Sequence, residues 1–181
     1  MNGKRKSKIT TEELVIDALF IAMTFAFTWL INIRLPLPGT GGLIHLGNLP
    51  MFVGAMLFGR RTGALAGGIG MALFDIMSGW GAWAPFTLVI VGCMGYVAGL
   101  ICEKKPFKSG FACEIMAVLI CLVIKVAGYY GAEIVLTGNW LAPVGSIPGN
   151  VVQVVFAGVI AIAIVSSLRK VAASVGMRKC S

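Results

Sequence analysis

Three polar side chains recur at every fourth position of one apolar run: Lys125, Tyr129 and Glu133. In a helix this spacing stacks them on one face, a turn apart. An ammonium, a phenol and a carboxylate in that arrangement offer donors, acceptors and both signs of charge. That is chemistry for holding a small polar molecule. Asn150 and Gln153, three apart in another run, share a face in the same way. Asp75 near the end of a third run, Tyr130 beside the stripe, and His45 with Asn48 ahead of a fourth complete the set. The same groups also fit a purely internal role, with Lys125 paired to Glu133 or Asp75. Catalysis is not indicated. The chain has neither a GxxxxGK[ST] phosphate loop nor an HExxH pair, and it lacks a nucleophile–base pair or metal cluster. An enzyme is therefore not expected, nor is a cofactor or metal.

These polar groups stand in an unusual setting. The chain has 181 residues, 58% of them apolar and only 12% charged, with a mean hydropathy of +0.93. A soluble domain carries about 25% charge. The reading is an all-α integral membrane protein, a six-transmembrane-helix bundle with spans at about 12–31, 48–58, 62–78, 84–101, 111–136 and 147–168. A helix needs about 20 residues to cross a bilayer, so the second span is short. Either it starts earlier, near Leu43, or it is tilted and shielded by its neighbours. Charges inside such spans cost a few kcal/mol on insertion scales and normally face protein or water.

Orientation follows from the cations. Of 15 Lys and Arg, all but Arg34 and Lys125 lie before the first run (Lys4, Arg5, Lys6, Lys8), between the second and third (Arg60, Arg61), between the fourth and fifth (Lys104, Lys105, Lys108), or after the last (Arg169, Lys170, Arg178, Lys179). Cytoplasmic loops are enriched in Lys and Arg. Both termini are thus expected in the cytoplasm: a basic N-terminus at 1–11, one membrane domain at 12–168 and a basic tail at 169–181. Basic charge scattered in this way implies contact with anionic membrane lipid and no nucleic acid. No cleavable signal peptide is evident. Cys93, Cys102, Cys113, Cys121 and Cys180 fall in spans or on the cytoplasmic side, where disulfides are not expected.

With that orientation the fifth span climbs outward, so Lys125 sits near mid-depth with Tyr129 and Glu133 above it. Asp75, Asn150 and Gln153 fall in the outer half as well. The groups converge on an outward-facing pocket with Lys125 as its floor. Three outer connections stand over it. One is a Pro- and Gly-rich loop (Pro36, Pro38, Gly39, Gly41, Gly42), one carries Trp80 and Trp83, and one carries Asn139, Trp140, Pro143 and Pro148. Trp140 reads as an interfacial anchor, and Asp17, near the inner edge, as interfacial too. Small residues four apart in spans three and four (Gly63 and Gly67, Gly68 and Ala72, Gly95 and Gly99) let helices approach closely, which places those spans at the centre. Ala18, Ala22 and Ala26 form a smooth stripe on span one, for packing inside the bundle or for docking a helix of another protein.

The residues also resemble a family. Ile44-His45-Leu46-Gly47-Asn48 carries part of the likeness, as does the run from Gly59-Arg60-Arg61-Thr62-Gly63 to Met71-Ala72-Leu73-Phe74-Asp75. Trp83-Ala84-Pro85-Phe86-Thr87 and Pro148-Gly149-Asn150-Val151-Val152-Gln153 complete it. Together they are similar to the substrate-binding S components of energy-coupling factor (ECF) vitamin transporters, of the riboflavin, pyridoxine and hydroxymethylpyrimidine type. One departure is Asn48, where the family pattern leads us to expect an acidic residue after Leu-Gly. The resemblance implies a bundle in the bacterial plasma membrane that captures a vitamin or precursor at its outer face. It would dock, through Ala18, Ala22 and Ala26, on a transmembrane coupling protein carrying two ATPase subunits. The expected ligand contacts are His45, Asn48, Asp75, Trp83, Lys125, Tyr129, Glu133, Asn150 and Gln153, around a small pyridine- or pyrimidine-like molecule. The alternative is a stand-alone transporter coupled to protons through Lys125, Glu133 and Asp75.

Overall fold

The structure, a computed structural model, describes residues 9–34 and 43–174. Lys4, Arg5, Lys6 and Lys8, the loop residues Pro36, Pro38, Gly39, Gly41 and Gly42, and Arg178, Lys179 and Cys180 lie outside the described residues. Among the described residues six α-helices form the body: α1 (Thr11–Leu30), α2 (Asn48–Phe58), α3 (Arg60–Met77), α4 (Ala84–Lys104), α5 (Gly110–Thr137) and α6 (Ile147–Ser174). A 3-10 turn, Ala142–Ser146, leads into α6. Among the described residues four stretches are long and apolar enough to cross a membrane: α1, α4, α5 and 142–171.

The helix ends follow from local chemistry. Thr10 caps α1 by accepting from the Glu13 N–H at 3.2 Å, and Glu13 accepts from the Thr10 N–H at 3.0 Å, a reciprocal capping box. Ser109 caps α5 through the Ala112 N–H. Gly59 separates α2 from α3 at φ +95°, a conformation that side-chain-bearing residues avoid.

The short second helix is resolved in favour of shielding. It spans 11 residues, about 16 Å, against a hydrocarbon core of about 30 Å. Every residue from Asn48 to Leu57 is buried. It does not begin near Leu43, because β2 (Leu43–His45) pairs antiparallel there with β1 (Asn32–Arg34), Ile33 opposite Ile44. A three-residue hairpin therefore sits in what the sequence presents as a plain loop.

α3 and α4 touch backbone to backbone. A Cβ on Gly95 would land on the Gly63 carbonyl, one on Gly99 would meet the Arg60 backbone, and one on Gly67 would come within 2.9 Å of the Val91 oxygen. Where both phases are apolar, such contact supplies the association that the hydrophobic effect cannot. The core around α2 is completed by Met51, Phe52, Met56, Met71, Val91, Met94, Val154 and Val165.

Ionic contacts bring the basic termini of the helices to one end. Arg60 pairs with Glu103 at 3.4 Å, Arg61 with Asp17 at 2.8 Å, and Arg169 with Glu114 at 2.6 Å. Arg169 also donates to the Met56 carbonyl at 3.3 Å. Asp17, expected near the inner edge, is part of this set. It is 4% exposed, accepts from the Thr62 hydroxyl at 2.7 Å, and ties α1 to α3. The helix has the polarity to do this because Asp17 shares its buried face with Phe20, Thr24 and Thr28. Ala18 and Ala22 are exposed and Ala26 is half-buried, so the small stripe faces away from the bundle.

Candidate functional site

The other end, under the hairpin, gathers the polar groups. Lys125 on α5 is 1% exposed. Its Nζ donates to Gln153 Oε1 on α6 at 3.0 Å and, at the long limit of 3.5 Å, to Asn48 Oδ1 at the start of α2. It also lies 5.4 Å from the Tyr129 ring centroid, within cation–π range. One ammonium thus knots three helices. It is held by neutral acceptors, not by the ion pair with Glu133 or Asp75 that the sequence left open.

This contact fixes the orientation of Asn48. Lysine can only donate, so Asn48 turns its oxygen toward Lys125 and its NH₂ away. Nδ2 is buried with no hydrogen-bond partner among the described residues, and so is Asp75 Oδ2. Asn48 is fully buried and Asp75 is 9% exposed. Leaving such an atom unpaired costs about 1–3 kcal/mol, and native structures contain few. One orphan donates and the other accepts.

Aromatic rings form the sides. The Trp83 ring lies 6.2 Å from that of Tyr129, tilted by 32°, and His45 is 6.5 Å from Phe74. The Tyr129 hydroxyl shares a hydrogen bond of 3.0 Å with Thr87, whose hydroxyl also faces the Asp75 carboxylate. Thr87 is 3% exposed and was not among the expected contacts. Its place four residues after Trp83, on the same face of α4, is the signal that would have found it. His45 Nδ1 accepts from the Gly47 N–H at 3.2 Å. Burial, and then the Lys125 ammonium, hold this imidazole well below its ordinary 6.5, so it is neutral near pH 7. Gly47 itself is required here, since a Cβ would overlap the Thr28 hydroxyl of α1.

The remaining expected residues divide. Gln153 is drawn into the Lys125 knot, and Asn150 lies one turn before it, half-buried. Glu133 is 2% exposed and accepts from Ser146 of the 3-10 turn at 2.7 Å, so it fastens the connection between α5 and α6. Tyr130 donates to the Trp140 carbonyl at 2.8 Å and braces the same connection.

Comparison with known proteins agrees with this architecture. A family model described as "ECF-type riboflavin transporter, S component" matches residues 8–170. The thiamine precursor transporter HmpT of Lactococcus lactis subsp. cremoris is 29% identical over 151 residues, 83% of each chain. An uncharacterized protein of Pyrococcus woesei is 32% identical over 106 residues, 59% of this chain and 69% of that one. The crystal structure of an S-component for biotin from an ECF-type ABC transporter has a TM-score of 0.63. The match covers 90% of this chain and 95% of that one at 18% identity, which shows a shared fold. A multi-pass protein of the cell membrane whose sequence matches that family model over nearly its whole length, this chain belongs to the ECF-type riboflavin transporter S-component family.

Proposed function

We propose that this chain is the substrate-capturing subunit of an ATP-driven importer and that it takes up a small vitamin or precursor with a pyridine- or pyrimidine-like ring. The observation that carries the reading is the pair of orphaned atoms beside Lys125, the Asn48 amide donor and the Asp75 carboxylate acceptor. A flat ring with a hydrogen-bond donor and an acceptor on its edge satisfies both, while Trp83 and Tyr129 offer it an aromatic wall. His45, Asn48, Asp75, Trp83, Lys125, Tyr129, Asn150 and Gln153 are the proposed contacts, Thr87 joins them, and Glu133 supports them through the 3-10 turn. The name of HmpT, a thiamine precursor transporter, accords with a ligand of this size.

In this proposal all six helices lie in the membrane as one domain at 12–168. Both termini are cytoplasmic, and the hairpin end faces outward. The gathering of Arg60, Arg61 and Arg169 at one end supports that orientation through the preference of cations for the cytoplasmic side. The partners are a transmembrane coupling protein and two ATPase subunits, docked on the exposed stripe Ala18, Ala22 and Ala26. Binding alone moves nothing across the membrane, so uptake against a gradient needs an external source of energy, which the ATPases would supply.

Mass spectrometry of small molecules retained by the detergent-purified chain tests the capture step. A stoichiometric heteroaromatic compound is expected, and a chain that retains none and binds none of the vitamins offered would overturn the assignment. Uptake by cells lacking the ATPases tests the coupling. Uptake should vanish; transport that persists there and collapses with an uncoupler would instead establish a proton-coupled carrier.

A further inference from the structure

The basic end of the bundle holds a cavity, at the opposite end from the Lys125 knot. It measures about 200 Å³ and is lined by Met56, Cys102, Lys105, Gly110, Cys113 and Arg169, from the ends of α2, α4, α5 and α6. One water needs only about 10–15 Å³, so the space suits a larger group. Its floor is apolar: Cys113 is 1% and Cys102 5% exposed. Its rim is cationic.

The two cations are placed by different elements. Lys105 ends α4 in the left-handed conformation at φ 44° and has no carboxylate partner among the described residues. Arg169 is positioned by Glu114 at 2.6 Å and the Met56 carbonyl at 3.3 Å. The Glu114 contact is ionic and the Met56 contact a single hydrogen bond, so N–H groups of the guanidinium remain for a further acceptor. Lys104, Lys108 and Lys170 flank the rim. The nearby acids are engaged, Glu103 with Arg60 and Glu114 with Arg169. Beside the opening, Phe107 and Phe111 are 48% and 61% exposed. A cationic mouth between helices, adjoining exposed aromatic surface at a membrane boundary, suits a molecule with a phosphate head and an apolar chain.

We infer that this cavity binds a phosphate group through Lys105 and Arg169, and that its natural source is the headgroup of an anionic phospholipid. The chain of that lipid would lie over Phe107 and Phe111. Arg169 would then bridge Glu114 and the phosphate. Glu114 is an opposing charge, so its replacement by Gln should strengthen anion binding, which a merely structural pairing would not do.

The test is native mass spectrometry of the full-length chain released from nanodiscs of equal phosphatidylglycerol and phosphatidylcholine. Wild type should retain phosphatidylglycerol preferentially. Lys105→Gln and Arg169→Gln should each lower that retention about fivefold, the effect of one interfacial cation, and Glu114→Gln should raise it. Lys105 lies on an exposed turn, so its variant carries the test even where Arg169→Gln fails to fold. Inorganic phosphate at millimolar concentration forms the second arm. Retention unaffected by it identifies a lipid site; displacement of the lipid, with phosphate bound alone, identifies free phosphate as the source for the same two cations. Equal retention of the two lipids by wild type, or undiminished retention by folded Lys105→Gln, overturns the proposal.

Discussion

An ammonium with 1% of its surface exposed must recover through its neighbours the hydration it has lost. Lys125 does so with two amide oxygens and an aromatic face. A hydrogen bond from this ammonium to a bound ligand would contribute about 1.5–3 kcal/mol, so Lys125→Met should weaken ligand binding by about 10–100-fold. Titration calorimetry on the purified chain reads this directly, and unchanged affinity in a folded variant would remove Lys125 from the site. Asn150→Ala should weaken binding less, since Asn150 stands a turn outside the knot. His45 supplies a pH test. Its folded pKa lies well below the unfolded 6.5, so below pH 6.5 the unfolded chain binds more protons than the folded one. Stability is therefore lost as pH falls through about 6.5. The melting temperature of wild type should drop between pH 7.5 and 5.5 by more than that of His45→Gln. Equal drops would show that the imidazole is not buried neutral. The charged and amide members of the candidate site were legible because such side chains are conspicuous in apolar runs. Thr87 was not, because a hydroxyl in a membrane helix usually bonds its own backbone and gives no sign of facing a neighbour.

Helix limits were legible where the chain carries punctuation. Gly59, Gly138 and the Ser109 cap mark ends that the sequence places within about two residues. The β1–β2 hairpin was not legible, since three-residue strands have no period to detect and exist only by backbone pairing. Small-residue spacing marked α3 and α4 as central, closely packed helices, but not that they pack on each other, because such spacing shows a face fit for close approach and not its partner. Gly95→Val puts branched carbon into the Gly63 backbone, rigid atoms that cannot yield. Overpacking of this kind costs about 1–3 kcal/mol or more, and the melting temperature of the detergent-solubilised variant should fall accordingly. The stripe on α1 makes the opposite prediction. Ala18 and Ala22 are exposed, so Ala22→Leu should leave folding and ligand affinity unchanged and impair co-purification with the coupling protein. Normal assembly of that variant would move the docking surface elsewhere.

At the scale of the whole molecule the chain is polarised, with the candidate binding site at one end and cations at the other. The two ends are linked through α2, whose first residue contacts Lys125 and whose last turn contacts Arg169. That helix is too short to span, and its residues from Asn48 to Leu57 are all buried. Its position depends on the longer helices around it, which is why sequence alone left its start undecided. The polarity makes orientation the decisive measurement. In a cysteine-free background, Lys108→Cys and Trp140→Cys sit on exposed positions at opposite ends, and neither replaces a residue of the proposed site. An impermeant maleimide should label Trp140→Cys in intact cells and Lys108→Cys only in inside-out vesicles. The reverse pattern would turn the hairpin end toward the cytoplasm, where a capture subunit could not meet an extracellular vitamin. It would also set the cations against the cation preference of the inner leaflet. Labelling of both positions from the same side would break the bundle's up–down order, because one crossing, α5, lies between the two positions.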